Sequence, residues 1–232
     1  ERIMLEFNVP EGQRIQRKQL ITVAEWNGEA HQVYVLQTSE PADWSTNFDA
    51  YYTKNASGQY VAVTGDTAPT WAANTYYTKN TSTLYREILG TRTEDSSIEF
   101  NADIETMTDV RGITYTDVNK TEPQQDFDPY NLLGGSPLGA YLTTHALKNN
   151  IVAYNNVFNV YIITAFIGSQ ADGYYTVMHS GCSIIPQSLG GDAYNNMPIE
   201  VHLSNNITEG TVNSLGKDFT FTPASTTTTT TE

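Results

Sequence analysis

A single cysteine, few basic residues and the absence of any long apolar run each close off a class of function in this 232-residue chain. Cys182 alone cannot form an intrachain disulfide, which fits a reducing compartment or a fold large enough to need no staple. No stretch approaches the ~20 consecutive apolar residues of a spanning helix, so no membrane span is expected. No a/d heptad persists, which excludes a long coiled coil. Only 12 Lys and Arg oppose 26 Asp and Glu, and the net charge of −14 disfavours recognition of nucleic acid through its phosphates.

Catalytic signatures are missing as well: there is no G-x-S-x-G elbow, no P-loop, no H-E-x-x-H and no cysteine pair. The histidines, at positions 31, 145, 179 and 202, lie in separate segments without metal-ligand spacing. His179 and Cys182 are three residues apart on an expected strand, which puts them on opposite faces and poorly placed as a base and nucleophile. Asp126-Phe-Asp128-Pro129 supplies only half the ligands of a calcium loop and lacks its glycine. The expectation is a protein that is not an enzyme, with no catalytic residues, no metal and no cofactor.

What the chain does have is threonine (32), asparagine (19) and tyrosine (15), a composition of pleated surfaces joined by turns. Ile3, Leu5, Phe7 and Val9 alternate as a strand. Leu20–Trp26, an Asn27-Gly28 turn and Val33–Leu36 read as a hairpin. Ser136-Pro137 is an N-cap and first-turn pair opening a short helix to about Lys148, with Leu138, Tyr141, Leu142 and His145 on one side and Asn149-Asn150 as the stop. Val157–Ile167, Tyr174–Ile185, Ile199–Leu203 and Phe219–Phe221 read as strands. The threonine-rich end, 224–232, reads as a flexible tail.

Residues 40–90 hold an internal repeat. Pro41 to Trp44 leads to Tyr51-Tyr52-Thr53-Lys54-Asn55, and Pro69 to Trp71 leads to Tyr76-Tyr77-Thr78-Lys79-Asn80. Two copies are too few for a solenoid. They read as a small β insert in which Trp44, Tyr51, Tyr52, Trp71, Tyr76 and Tyr77 form either a miniature core or an aromatic platform for sugars, the core being favoured because aromatics fill a small interior efficiently.

The most informative stretch follows the insert. Ile98, Phe100, Ala102 and Ile104 alternate with Glu99, Asn101, Asp103 and Glu105, and Ile113–Val118 returns after a connection in which Gly112 can take a positive φ. Between Glu94 and Asp128 there are ten carboxylates against Arg111 and Lys120, a local net of −8. A solvated face is the ordinary reading of such a strand, yet solubility alone would call for mixed signs, because a row of like charges repels itself. The repulsion is useful if the face must keep a polyanion moving. Duplex DNA carries one charge per ~1.7 Å, and carboxylates within a Debye length of ~8 Å keep it from adhering.

The run from Thr93 to Thr106, Thr108-Asp-Val-Arg-Gly112, Asp126-Phe-Asp-Pro129 and the downstream Leu132-Leu-Gly-Gly-Ser-Pro137 helix resemble the major tail tube protein of long-tailed (siphovirus-type) bacteriophages. The resemblance covers 1–39 and 91–223, with 40–90 as an insert. It implies a mainly β fold (all-β or α+β): an antiparallel β-sandwich or barrel with one short flanking helix and a long β-hairpin that joins its neighbours' hairpins in an inner barrel. It further implies hexameric rings stacked into a tube in the virion tail, assembled in the bacterial cytoplasm. The partners would be the chain itself, a tape-measure protein and tail-end proteins, with DNA passing through unbound. On this reading the hairpin's apolar face packs on the body, while Glu99, Asp103 and Glu105 face the lumen together with Thr114 and Thr116. Arg14, Arg17 and Lys18 become candidates for contact with the adjacent ring. Two alternatives remain open: a glycan-binding surface module built on the aromatic repeat, and a tube subunit of a contractile injection or secretion system.

Overall fold

The computed structural model describes residues 6–93 and 95–224. Ile3 and Leu5 of the expected first strand, Glu94, and the tail from 225 on lie outside the described residues; Phe7 pairs with Ile167 as an isolated bridge. In chain order come β1 (Leu20–Asn27), β2 (His31–Gln37), the one-turn helix α1 (Trp44–Asn47), β3 (Tyr51–Lys54), β4 (Tyr60–Ala62) and β5 (Thr75–Thr81). Next are β6 (Leu84–Ile88), β7 (Ile98–Glu99), β8 (Asp103–Thr108), β9 (Thr114–Lys120), β10 (Gln124–Phe127) and α2 (Pro137–Leu147). The chain continues through β11 (Phe158–Ser169), β12 (Gly173–Pro186), β13 (Ile199–His202), β14 (Ile207–Val212) and β15 (Phe221–Pro223). Strand accounts for 44% and helix for 11%, so the fold is mainly β, with antiparallel sheets and two helices.

The chain divides into two compact units, a body formed by the segments up to Trp26 and from Tyr85 onward, and a lobe, Asn27–Leu84. The expected boundaries at 40 and 90 therefore shift to 27 and 84, and the expected hairpin of Leu20–Trp26 with Val33–Leu36 does not exist. β1 pairs with β11, Leu20 opposite Thr164 through Glu25 opposite Asn159. β2 pairs with β5, His31 opposite Thr81 through Gln37 opposite Thr75. The reason is burial: Thr22–Trp26 is buried without a break, the pattern of a strand covered on both faces, whereas β2 is at best half-buried. Asn27-Gly28 is the exit from the body, not a hairpin turn.

In the body's nine-stranded sheet the strands run β6-β1-β11-β12-β13-β10-β7, with β14 and β15 added beside β12. Period-two alternation sends side chains of β1, β11 and β12 into two separate cores. Ala24, Trp26, Phe158, Val160, Ile162, Cys182 and Ile184 join Leu138 and Leu142 of α2, together with Phe127, Met197 and Val201, on one side. Val23, Tyr161 and Ile163 meet Val212 and Phe219 on the other. β14 carried too weak a pattern to be anticipated, because Gly210 interrupts it. A Cβ there would stand 2.3 Å from the Thr222 carbonyl, so the glycine is what lets β14 lie between β12 and β15.

Two carboxylates tie the body together. Glu25, 6% exposed, is paired with Arg86 at 2.6 Å and accepts from Asn159 and Tyr161, while Arg86 also donates to the Phe219 carbonyl and lies over its ring at 4.2 Å. Glu87 accepts from the Tyr130 hydroxyl, from Ser136 Oγ and from the Leu138 N–H at the start of α2. Ser136 caps the same turn by accepting from the Gly139 N–H at 2.9 Å, and Asn149 ends the helix at φ +52°. Burial, and then the negative charge of the Glu87 carboxylate to which it donates, raise the Tyr130 hydroxyl pKa well above its ordinary value.

The lobe is a four-stranded sheet ordered β2-β5-β3-β4. In the antiparallel pairing Tyr51 opposes Tyr77 and Tyr52 opposes Tyr76, so the first tyrosine of one repeat shares a face with the second of the other.

Candidate assembly surface

The expected single strand from Ile98 to Ile104 is two strands. Asn101 takes φ +45°, a left-handed turn that breaks the pleat. Before it, β7 stays in the body sheet with Glu99 opposite Gln124; after it, β8 leaves with β9 as a separate two-stranded sheet. The root is closed by the Glu122 N–H donating to the Phe100 carbonyl at 3.0 Å and by Asn101 Nδ2 donating to the Glu122 carbonyl at 3.1 Å. Glu99 therefore does not stand in a row with Asp103 and Glu105.

Every residue of β8 and β9 is exposed, and among the described residues neither strand pairs with anything but the other. The expected packing of an apolar hairpin face on the body is not what the fold does. Ile104 and Val118 are 58% and 59% exposed, and Val110 at the tip is fully exposed. Glu105 opposes Asp117, Thr106 opposes Thr116, Met107 opposes Tyr115, and Thr108 opposes Thr114. Alternation then defines two unlike faces. One holds Glu105 and Asp117, with Met107 and Tyr115 toward the tip; at the root the register shifts between Asp103 and Ile104, and Asp103 opposes Lys120. The other is uncharged: Ile104, Thr106, Thr108, Thr114, Thr116 and Val118. Thr114 and Thr116 thus lie opposite the acidic face, not on it, because they face Thr108 and Thr106 across the ladder. Asp117 belongs with the acids, and its signal was present in the sequence: once the turn at 109–113 sets the register, Asp117 must oppose Glu105.

The tip is rigidly hydrogen-bonded. Asp109 Oδ1 accepts from the N–H groups of Arg111 and Ile113, and the Asp109 N–H donates to the Ile113 carbonyl at 2.9 Å. Those N–H groups, Ile113 first, hold the Asp109 carboxyl below the ordinary carboxylate range. Gly112 sits at φ +79°, the positive value the turn needs. At the root, Lys120 and Glu122 pair at 2.7 Å, raising the lysine pKa and lowering that of the glutamate.

The other anticipated residues fall elsewhere. Arg17 is spent within the body, donating to the carbonyls of Ser96 and Leu20, while Arg14 and Lys18 are exposed beside it. Trp44 and Tyr51 are buried with Val63, and Trp71 and Tyr77 pack on them, so these four aromatics belong to the lobe's core. Trp44 Nε1 donates to the Pro69 carbonyl and the Tyr51 hydroxyl to Asp43 at 2.8 Å. Tyr52 and Tyr76 lie on the opposite face, edge-on to Tyr34 and Tyr60, which stack on each other at 3.7 Å.

His179 and Cys182 are not on opposite faces. Gly181, at φ +76°, is an extra residue in β12 where Asn159 opposes Ser180 and Phe158 opposes Cys182, and this bulge resets the alternation. The pair is still unproductive. The imidazole Nδ1–H donates to the Ser204 carbonyl at 2.7 Å, and the thiol donates to the His179 carbonyl, not to its ring. Burial pushes the thiol pKa up. Asp126 and Asp128 line a hollow with Asp95 and Glu99, and among the described residues no group of three His, Cys, Asp or Glu converges to hold a metal ion. Compared with protein-family models, curated proteins and solved structures, the chain matches none.

Proposed function

We propose that the chain is a structural, non-catalytic subunit that self-assembles through the β8–β9 hairpin into rings stacked as a tube. One observation carries the reading: a hairpin about 20 Å long, from six residues at ~3.4 Å each, stands clear of the body, has both edges unpaired among the described residues, and carries one face without charge. An isolated two-stranded ribbon is marginal in water, and open edges invite pairing with another chain. Strands of adjacent copies satisfy both edges at once, which closure into a ring completes. The acidic pair that would line the lumen is then Glu105 and Asp117, with the uncharged threonine face turned to the surrounding bodies.

This is the arrangement implied by the resemblance to major tail tube proteins of long-tailed bacteriophages. It carries the same partners: the chain itself in hexamers, a tape-measure protein, tail-end proteins, and DNA passing through a virion tail. A sandwich-type body is part of the proposal. Its support is that β12 exchanges β14 for β13 across the Gly181 bulge, with a core on each side of the shared strands. Electron microscopy of the concentrated protein tests the reading. Hollow rings or tubes are expected, and monomers at every concentration and salt would overturn it.

A further inference from the structure

Two features of the body are unused by the hairpin. An apolar groove of about 430 Å³ is lined by Leu20, Ile98, Phe100, Ile162, Val177 and Leu203. It shares Ser96 and Ser97 with the hollow formed by Asp95, Glu99, Asp126 and Asp128. A knob of apolar side chains protrudes where α2 ends, Leu147, Ile151 and Val152 being 73%, 56% and 78% exposed, with exposed Lys148 among them. Leu147 is exposed for a geometric reason: nine residues on from buried Leu138, it points to the opposite side of the helix. The hydrogen bond of Tyr141 to the Ala153 carbonyl at 2.7 Å then folds the following segment back beside the helix.

Knob and groove lie at different ends of the same strand. Phe158, at the start of β11, meets Tyr141 of α2 at 6.2 Å between ring centres, whereas Ile162 and Thr164 line the groove. Four to six residues at ~3.4 Å each separate the two by about 14–20 Å. The knob therefore does not fill its own groove.

We propose that the groove receives the Leu147–Val152 knob of a second copy, with Lys148 set against the neighbouring acidic hollow. The charges argue for this occupant: a cationic residue rides on the apolar projection, four carboxylates line the hollow that adjoins the recess, and Arg17 at the recess is already engaged by the Ser96 and Leu20 carbonyls. Exposed apolar surface of this kind marks a protein–protein contact. Because unlike patches meet, the contact is heterologous and propagates from copy to copy, closing into a ring or extending a stack according to its rotation. The inference rests on the self-association proposed above and adds a second contact to it, away from the hairpin.

Cross-linking separates the two. Val152→Cys and Phe100→Cys are both at exposed positions, whereas native Cys182 is 1% exposed and stays silent. When the two single variants are mixed at assembling concentration under mild oxidation, a disulfide dimer is expected in the mixture and not in either variant alone. Unchanged circular dichroism confirms folding. Tubes that form without the mixed dimer, or a Val152→Cys dimer formed alone, overturn this contact and leave the tube reading standing. A mixed dimer from a protein that never forms hollow rings supports the contact and sinks the tube. Lys148→Glu should slow the mixed cross-link severalfold at low salt, and an unchanged rate overturns the seating of Lys148.

Discussion

Replacing Thr106 by proline separates the hairpin's internal pairing from its pairing with a neighbour. The Asp109 N–H donates to the Ile113 carbonyl at the tip, so residues at odd positions of β8 face inward to β9. Ile104, Thr106 and Thr108 then turn their N–H and C=O groups to the open edge. The 3.1 Å approach of the Thr108 and Thr114 hydroxyls fits the closer spacing of such a non-bonded pair. Proline at 106 leaves the internal ladder intact and removes the middle donor of the edge, where its ring also blocks the carbonyl of an incoming strand. Two hydrogen bonds at about 1 kcal/mol net each are lost per contact, a weakening of about 30-fold in association. The subunit itself should keep its stability within about 0.5 kcal/mol, because surface changes away from packed features cost little. Sedimentation and electron microscopy against concentration read the first quantity, and urea unfolding the second. Assembly of Thr106→Pro at the wild-type concentration would refute the edge-pairing argument.

Reversing the acidic face should leave assembly intact and change its behaviour toward DNA. Tubes carrying Glu105→Lys and Asp117→Lys should retain duplex DNA at low salt and release it at high salt, whereas wild-type tubes retain none; absence of retention in a co-sedimentation assay refutes the lumen assignment. Arg86→Met strands Glu25 as a buried, unpaired carboxylate and should cost about 3–5 kcal/mol in urea unfolding, most of it recovered by the additional change Glu25→Gln. A loss below about 1 kcal/mol would show that Glu25 finds other compensation. In the lobe, burial and then the hydrogen bond to Asp43 push the Tyr51 hydroxyl pKa up to about 12 from 10.0. The folded lobe therefore favours the neutral phenol. Its contribution to stability is complete below pH ~10 and is lost as the pH rises through ~12. Ultraviolet titration of the phenolate with tryptophan fluorescence should show the lobe opening in that window, and Tyr51→Phe should remove the dependence.

Local patterns carried much of the fold. Ser136-Pro137 and Asn149 delimit α2 because a cap oxygen, a fixed proline φ and a left-handed asparagine act within one turn, and no distant residue is needed to satisfy them. β11 and β12 are equally legible, being long apolar alternations bounded by Gly168 and Gly173. The concentration of carboxylates after residue 94 is a property of composition alone. Partner choice is a different matter. β1 and β2 are adjacent in the chain and joined at Asn-Gly, yet each pairs with a strand far along it, because β1 needs cover on both faces and β2 does not. Parity is also lost at a single residue: φ at Asn101 moves Glu99 out of the hairpin, and the Gly181 bulge brings His179 and Cys182 to one face. A period-two reading propagates along a strand only while the pleat is unbroken, and the backbone breaks are stabilised by tertiary contacts. Sequence thus determined where the long strands, the helix and the charge lie. The tertiary structure decided which strands meet, which face each carboxylate shares, and that the hairpin stands free, since these depend on groups brought together only when the whole sheet forms.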